Sequence, residues 1–492
     1  MVHNKQWIWD TEPHVIDETW LSIETSGHRY LSYQKNLHIK TSTDKSVILL
    51  GWAWQTDEKQ ESPAEEIDVL SKTYSIDHLY DTECTWFGRY VVLFHNYVWM
   101  DTTGNLGCYY DGKRVSSSLV LLWKLRNSNE KLNEEDIPHV EIILGNADYT
   151  PGPLTPIKGI RRLLPSQMYD VNTSKTEYRQ LIKHHFSKLT DEERLQQYKK
   201  NALYGIKQMG STGLPLWCAI TGGKDSRVAV ALLEAANLDY NGYIIDFGMR
   251  SAADVPISKK IAKIIKKPWL KFVTQKIKQD SKRVLDWNRH CAYLSHEKAI
   301  YARHIDDSIS DGRDIFSIRC SIFEVLEDIY TQEFTVDQYL ETFSMRGKYF
   351  EESFKEWLDI VNKDNINGDI KILTRMYWEF RMGCWLSTNE QACDIMDNVT
   401  NIHIFNCRRN LELLWELNET TRHTRDWERT IVNELCPQLS KIPYDREYTN
   451  MRLKFYHAYV KLVGWLKIHI PISLYKRLKF IMNHIINTKW IN

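Results

Sequence analysis

Charge of one sign, paired cysteines and long apolar runs are all missing from this chain. Sixty-four basic residues stand against 64 acidic ones, a formal net charge of zero, so no global field draws the protein to nucleic acid. The nine cysteines are scattered, with no C-x-x-C pair and none before Cys84. That spacing excludes a zinc ribbon and offers no disulfide framework, so a reducing, cytoplasmic setting is expected. The opening MVHNKQWIWD has no apolar core of the signal-peptide kind, and no uninterrupted apolar run reaches membrane-spanning length. There is no G-x-x-x-x-G-K-[ST] either, which excludes a Walker loop. The 492 residues leave room for about two to four domains with sizeable cores.

What is present centres on Leu214 to Ala235, LPLWCAITGGKDSRVAVALLEA. Leu214 to Ile220 is almost wholly apolar, the pattern of a strand buried on both faces. Thr221, Gly222 and Gly223 interrupt it, and from Lys224 onward Val228, Ala229, Leu232 and Leu233 recur at helical spacing. A strand, a hydroxyl-Gly-Gly turn and a helix make an anion site, because glycines let the backbone approach a phosphate and the first helical amides point at it. Asp225 would repel phosphates unless Mg²⁺ lay between them. The expected ligand is therefore ATP with its metal, held by Ile220, Thr221, Gly222, Gly223, Lys224, Asp225, Ser226 and Arg227. A Gly-Gly turn can also be plain structure.

The run Thr221-Gly222-Gly223-Lys224-Asp225-Ser226 resembles the S-G-G-x-D-S pyrophosphate loop of the ATP pyrophosphatase (PP-loop) superfamily. In that superfamily the loop grips the β- and γ-phosphates, which leave as pyrophosphate when AMP is transferred to a substrate oxygen. The surroundings suit a doubly wound parallel sheet: Tyr243 to Phe247 reads as a second strand, Ala253 to Lys266 as a helix and Trp269 to Val273 as a third strand. A ligand belongs at the carboxyl ends of such strands, where Thr221 and Asp246 stand. For Asp246 the competing reading is an ordinary helix cap.

Residues 1 to about 165 read as β-rich. Gly88 to Phe94 and Tyr97 to Met100 flank His95-Asn96 as one hairpin, and Leu106 to Tyr110 and Val115 to Val120 flank Asp111-Gly112 as another. The stretch FGRYVVLFHNYVWMDTTGNLGCYY resembles a segment of the glutaminase domain of asparagine synthetases. Thr155 to Pro165 resembles the x-G-I-x-x-L-x-P-G stretch that closes that domain, with Ser166 where glycine is usual. The resemblance implies an α+β Ntn-like sandwich, followed by an α/β doubly wound PP-loop domain of the adenine nucleotide hydrolase type with helical additions. The expected organisation is 1–165 degenerate glutaminase-like domain, 166–194 linker, 195–450 ATP-binding synthetase domain and 451–492 basic amphipathic helices. Family glutaminases use an N-terminal cysteine as nucleophile. Val2 stands here instead, so no glutaminase activity is expected.

Further site residues follow from the same resemblance. The end of the second strand lines the family's adenine pocket, which points to Ile245, Asp246 and Phe247. In place of the family's S-G-E-G-x-D-E-x-F-G-G turn stands Ile315 to Asp328, lacking its glycines. Glu324, expected to head a helix, is the counterpart of the second Mg²⁺ ligand, and Arg319 of a phosphate or substrate contact; a solvated helix face is the alternative. Residues 330–460 are expected to be mainly helical. Glu379 and Arg381 resemble a buried pair in the E-x-R region, and Lys441 is the counterpart of a lysine that serves ring-forming members. Between 451 and 492 there are eight basic residues and no acid, with aromatic and aliphatic residues interleaved. Such helices suit a peripheral seat on an anionic inner membrane surface, an acidic partner, or packing on the domain.

The function these expectations compose is that of a carbon–nitrogen ligase. It would adenylate a small-molecule or peptide carboxylate for attack by an amine donor, as β-lactam synthetases and lasso-peptide cyclases do. The competing reading is a non-catalytic nucleotide-binding scaffold or sensor. The sequence carries no signal for the oligomeric state.

Overall fold

The computed structural model describes residues 4–126, 150–155, 157, 159–273, 314–327, 348–396 and 399–448, with isolated helical positions between 454 and 478. The chain forms two compact units, Met1–Pro215 with Ile277–Trp427 and Leu216–Lys276 with Glu428–Asn492.

The first unit is built on two antiparallel sheets of six strands each. One runs, in spatial order, Arg161–Arg162, Tyr109–Asp111, Arg114–Ser116, Trp7–Asp10, Arg29–Gln34 and Trp20–Thr25. The other runs Lys175–Tyr178, Gln167–Asp170, Tyr97–Met100, Trp86–Phe94, Val47–Gln55 and Ile39–Thr41. Side chains alternate between the faces of a strand, and the second sheet uses both faces. Ile48, Leu50, Val91 and Leu93 join Trp7, Trp9 and Leu31 of the first sheet in one core. Val47, Leu49, Tyr90 and Val92 instead meet Ile67, Leu70 and Leu79 of the helices Pro63–Leu70 and Ile76–Glu83. A third apolar cluster lies under the helix Leu119–Arg126. Helix, sheet, sheet and helix thus stack in layers, an α+β arrangement.

The hairpin expected at His95-Asn96 is present, with Phe94 opposite Tyr97 and His95 at φ 54°. The second hairpin pairs Asp111 with Arg114 but ends at Ser116. The expected strand to Val120 gives way to the helix Leu119–Arg126, because a short, continuous apolar run suits a buried helix as well as a buried strand. The polar stretch expected as a linker contains a hairpin, Gln167–Asp170 with Lys175–Tyr178, that edges the second sheet. An edge strand tolerates polar side chains, so its pattern reads as loop.

Residues 348–427 belong to this same unit. They are mainly helical, with one strand, Val399–His403, parallel to Ile315–Arg319. Buried polar contacts tie them to the antiparallel sheets: Arg89 pairs with Asp394, Asn406 Nδ2 donates to Gly88 O and to Asp101 Oδ1, and Arg408 pairs with Glu83 at 3.4 Å.

The second unit alternates strand and helix. Leu216–Ala219, Asn241–Asp246 and Trp269–Val273 are parallel, with Asn241–Asp246 in the middle. The helices Lys224–Ala235 and Asp254–Ile265 cross between them, an α/β arrangement. No helix among the described residues is long and apolar enough to cross a membrane. At the far end Lys454, Lys461, Leu462, Trp465, Leu474 and Arg477 are helical and exposed. The remainder of the expected amphipathic helices lies outside the described residues.

Candidate functional site

The turn from Thr221 to Ser226 joins the first parallel strand of the second unit to its first helix. Ile220 is buried, and its amide donates to Tyr243 O at 2.9 Å, extending the parallel ladder by one residue. Two hydroxyls then organise the turn from inside. Thr221 Oγ1 and Ser226 Oγ share a hydrogen bond of 2.9 Å, the Thr221 amide donates to Ser226 Oγ at 3.2 Å, and the Gly223 amide donates to Thr221 Oγ1 at 3.2 Å. These two residue types at a spacing of five close the loop on itself.

The two glycines answer to different demands. A Cβ at Gly222 would meet Ile257 Cδ1 at 2.9 Å, Asp445 Cβ at 3.0 Å and Asp254 Oδ1 at 3.1 Å, so close approach alone requires glycine there. At Gly223 it would meet only Thr221 Oγ1, at 3.5 Å. Gly223 is the N-cap of Lys224–Ala235 and has no side-chain cap. A twelve-residue helix thus presents its positive end over a backbone that carries no Cβ. Lys224 and Asp225 occupy the first turn, and both are partly exposed.

Two acids that sequence reasoning missed sit against this turn. Asp254 Oδ1 accepts from the Gly222 amide at 2.7 Å, and the Asp445 amide donates to Gly222 O at 2.9 Å. Burial, and then the neighbouring Asp445, push the Asp254 carboxyl above the usual carboxylate range, although its bond to Gly222 pulls the other way. Asp254 was findable as an acid opening the helix after the second strand. Asp445 carried no such signal, because it is remote in sequence.

Arg227 is fully buried. Its guanidinium donates to the carbonyls of Ile442 and Pro443 and lies 3.8 Å over the Tyr444 ring. It ties the segment 442–445 to the helix. Lys441, exposed, is the residue immediately before that tied segment. At the end of the second strand, Asp246 Oδ1 accepts from the Gly248 amide at 2.9 Å and Ser251 Oγ at 3.0 Å, and Oδ2 pairs with Lys271 at 3.3 Å. These bonds brace the turn after the strand, and Asp246 is not the N-cap of the next helix, whose N-cap is Ala253. Ile245 is partly buried, and Phe247 is 50% exposed.

Arg319 and Glu324 belong to the first unit. Arg319 ends its strand opposite His403, and Glu324 lies in a single 3₁₀ turn, Phe323–Leu326, rather than at the head of a long helix. The Glu390 carboxyl nearby is buried, yet its hydrogen bond to His403 and the charges of His403, Arg319 and Arg89 hold it below the usual range. The expected Glu379–Arg381 pair does not form. Glu379 accepts from Trp357 and Ser166 and lies 3.7 Å from Arg375, whereas Arg381 stacks on Trp385 at 3.5 Å. Residues four apart share a helix face and residues two apart do not.

Among the described residues, no group of three or more His, Cys, Asp or Glu side chains is placed to hold a metal ion. Mg²⁺, however, is commonly held by one or two carboxylates together with substrate phosphates. Asp225 lies in the first turn of the helix capped by Gly223. The sequence matches no model of a known protein family and no curated protein.

Proposed function

We propose that this protein is an ATP-dependent, AMP-forming amide-bond synthetase of the asparagine synthetase type, working without a glutaminase of its own. The observation that carries the reading is the hydroxyl-braced turn Thr221–Ser226 at the carboxyl end of a parallel strand, with Asp225 in the first turn of the following helix. A phosphate chain suits such a turn. The stacked antiparallel sheets of the first unit fit a degenerate Ntn-type domain retained as architecture.

In this reading a substrate carboxylate oxygen attacks the α-phosphorus of ATP, and pyrophosphate departs. The amine donor then attacks the acyl carbon and AMP leaves, so a poor leaving group has been exchanged for a good one. With the Gly222 and Gly223 amides engaged by Asp254 and Thr221, the positive end of the helix Lys224–Ala235 would offset the charge of the departing pyrophosphate. Asp225 would hold Mg²⁺, whose charge offsets that of the phosphates when it is bound. Ile245 and Phe247 offer an apolar edge for adenine, and Lys441 offers a positive charge next to the segment tied down by Arg227. Glu324 and Arg319 enter the reading through the family resemblance alone.

A second reading, a nucleotide-binding scaffold or sensor, is favoured by one contact: the Asp254 carboxylate engages the Gly222 amide, a donor that phosphate would otherwise use. Pyrophosphate release measured across a panel of carboxylic acids, with ammonia or simple amines supplied, separates the two. The synthetase reading expects release that depends on one class of acid. MgATP binding with no release from any acid supports the scaffold.

A further inference from the structure

Within the first unit, the end of strand Val47–Gln55 opens into a cavity of about 370 Å³. One wall is aromatic. The His38 and Trp52 rings stack with centroids 3.7 Å apart and planes 13° from parallel. Trp54 continues the row, 5.8 Å from Trp52 and again at 13°. His38 Nδ1 donates to Gly51 O at 2.8 Å, and burial pushes its imidazole below the ordinary histidine range, so the row is uncharged near neutral pH. A second wall is the start of helix Pro63–Leu70, and Tyr204 with Gln208 supplies a third.

The rim beside the aromatic wall is acidic. Residues 57–66 carry Asp57, Glu58, Glu61, Glu65 and Glu66 against the single Lys59. Two of these acids are partly spoken for, Glu58 by Lys200 and Glu65 by Ser62. Glu61 is exposed and lines the cavity. The field of this run reaches inward. Burial first, and then the charges of Glu61, Asp57 and Glu65, push the enclosed Glu66 carboxyl up to about 7, against the opposing hydrogen bond from Trp86. Lys40 is the one lysine or arginine in the lining.

We infer that this cavity is a binding site for a small organic cation bearing an alkylammonium group. Aromatic rings present negative faces that attract cations, most strongly tryptophan, and neighbouring carboxylates add a longer-ranged pull. The volume suits a small molecule. A neutral sugar ring also stacks on tryptophan, but it gains nothing from an acidic rim, and an anionic ligand is opposed by it. The acids therefore decide between ligand classes that the aromatic wall alone would admit. The site is independent of the ATP chemistry proposed above, since every residue it uses lies in the antiparallel part of the first unit or in the helix Asp191–Gly210.

The test titrates the full chain with choline, with its neutral isostere 3,3-dimethyl-1-butanol, and with cellobiose, following tryptophan fluorescence and heat. The expected result is saturable choline binding that weakens as salt rises, with the isostere about tenfold weaker. Trp52→Leu should abolish choline binding. Because Trp52 also packs edge-on against Phe316, the surface change Glu61→Gln provides a second arm that leaves the fold untouched, and it should weaken choline severalfold without altering the isostere. Equal affinity for choline and the isostere, saturable binding of cellobiose in preference to choline, or no saturable choline binding would each overturn the assignment.

Discussion

The carboxylate of Asp254 accepts a hydrogen bond from the backbone amide of Gly222 at 2.7 Å. An acid that opens one helix thus holds the turn that feeds another. In the same place it sets a negative charge beside a backbone suited to phosphate. Asp254→Asn keeps the acceptor oxygen and removes the charge. MgATP should bind this variant about fivefold more tightly, the scale of one screened charge several ångströms away. Calorimetric titration of both proteins checks it, and weaker binding would mean that Asp254 helps to hold a cation.

Arg227 is a brace. Its charge-assisted bonds to Ile442 O and Pro443 O and its seat over Tyr444 are all internal. Arg227→Ala should cost about 3 kcal/mol of stability, the worth of two hydrogen bonds to a charged group and a buried cation–π contact. Arg227→Lys should recover little of it, because an ammonium cannot span both carbonyls and stack. Denaturant unfolding followed by circular dichroism measures both variants.

Glu66 gives the first unit a pH dependence. Burial raises its carboxyl from 4.5 to about 7 in the folded chain. Between those two values the folded state holds a proton that the unfolded state has released, so stability falls as pH rises through this window and then levels off. Glu66→Gln can still accept from Trp86 Nε1 and Gln55 Nε2, the donors Glu66 has now, and should flatten that slope. Thermal melts from pH 4 to pH 8 compare the two. An unchanged slope would place the proton uptake elsewhere.

How much could be read in advance depends on how local the signal is. The strand, turn and helix around Gly222 were legible because apolar pattern, glycines and hydroxyls lie within one short stretch, and the structure has a strand at Leu216–Ala219 and a helix from Lys224. The hairpin at His95 was legible for the same reason. Leu119–Arg126 was not, since five consecutive apolar residues buried on all sides carry no period. The contacts of Asp445 with Gly222 and of Arg227 with Ile442 were invisible, because they join segments more than two hundred residues apart. Glu379 finds Arg375 rather than Arg381 through helical geometry, which a linear motif does not encode.

Asp225 is the residue on which the proposed chemistry turns. The most direct measurement is MgATP binding to the intact chain and to Asp225→Ala, each titrated with Mg²⁺ and again with the metal chelated. Saturable binding that needs Mg²⁺ is expected in the wild type, falling at least about tenfold in the variant, with both proteins equally folded by circular dichroism. Binding that is indifferent to Mg²⁺ and to the loss of Asp225, or no binding by the wild type at all, would contradict that chemistry.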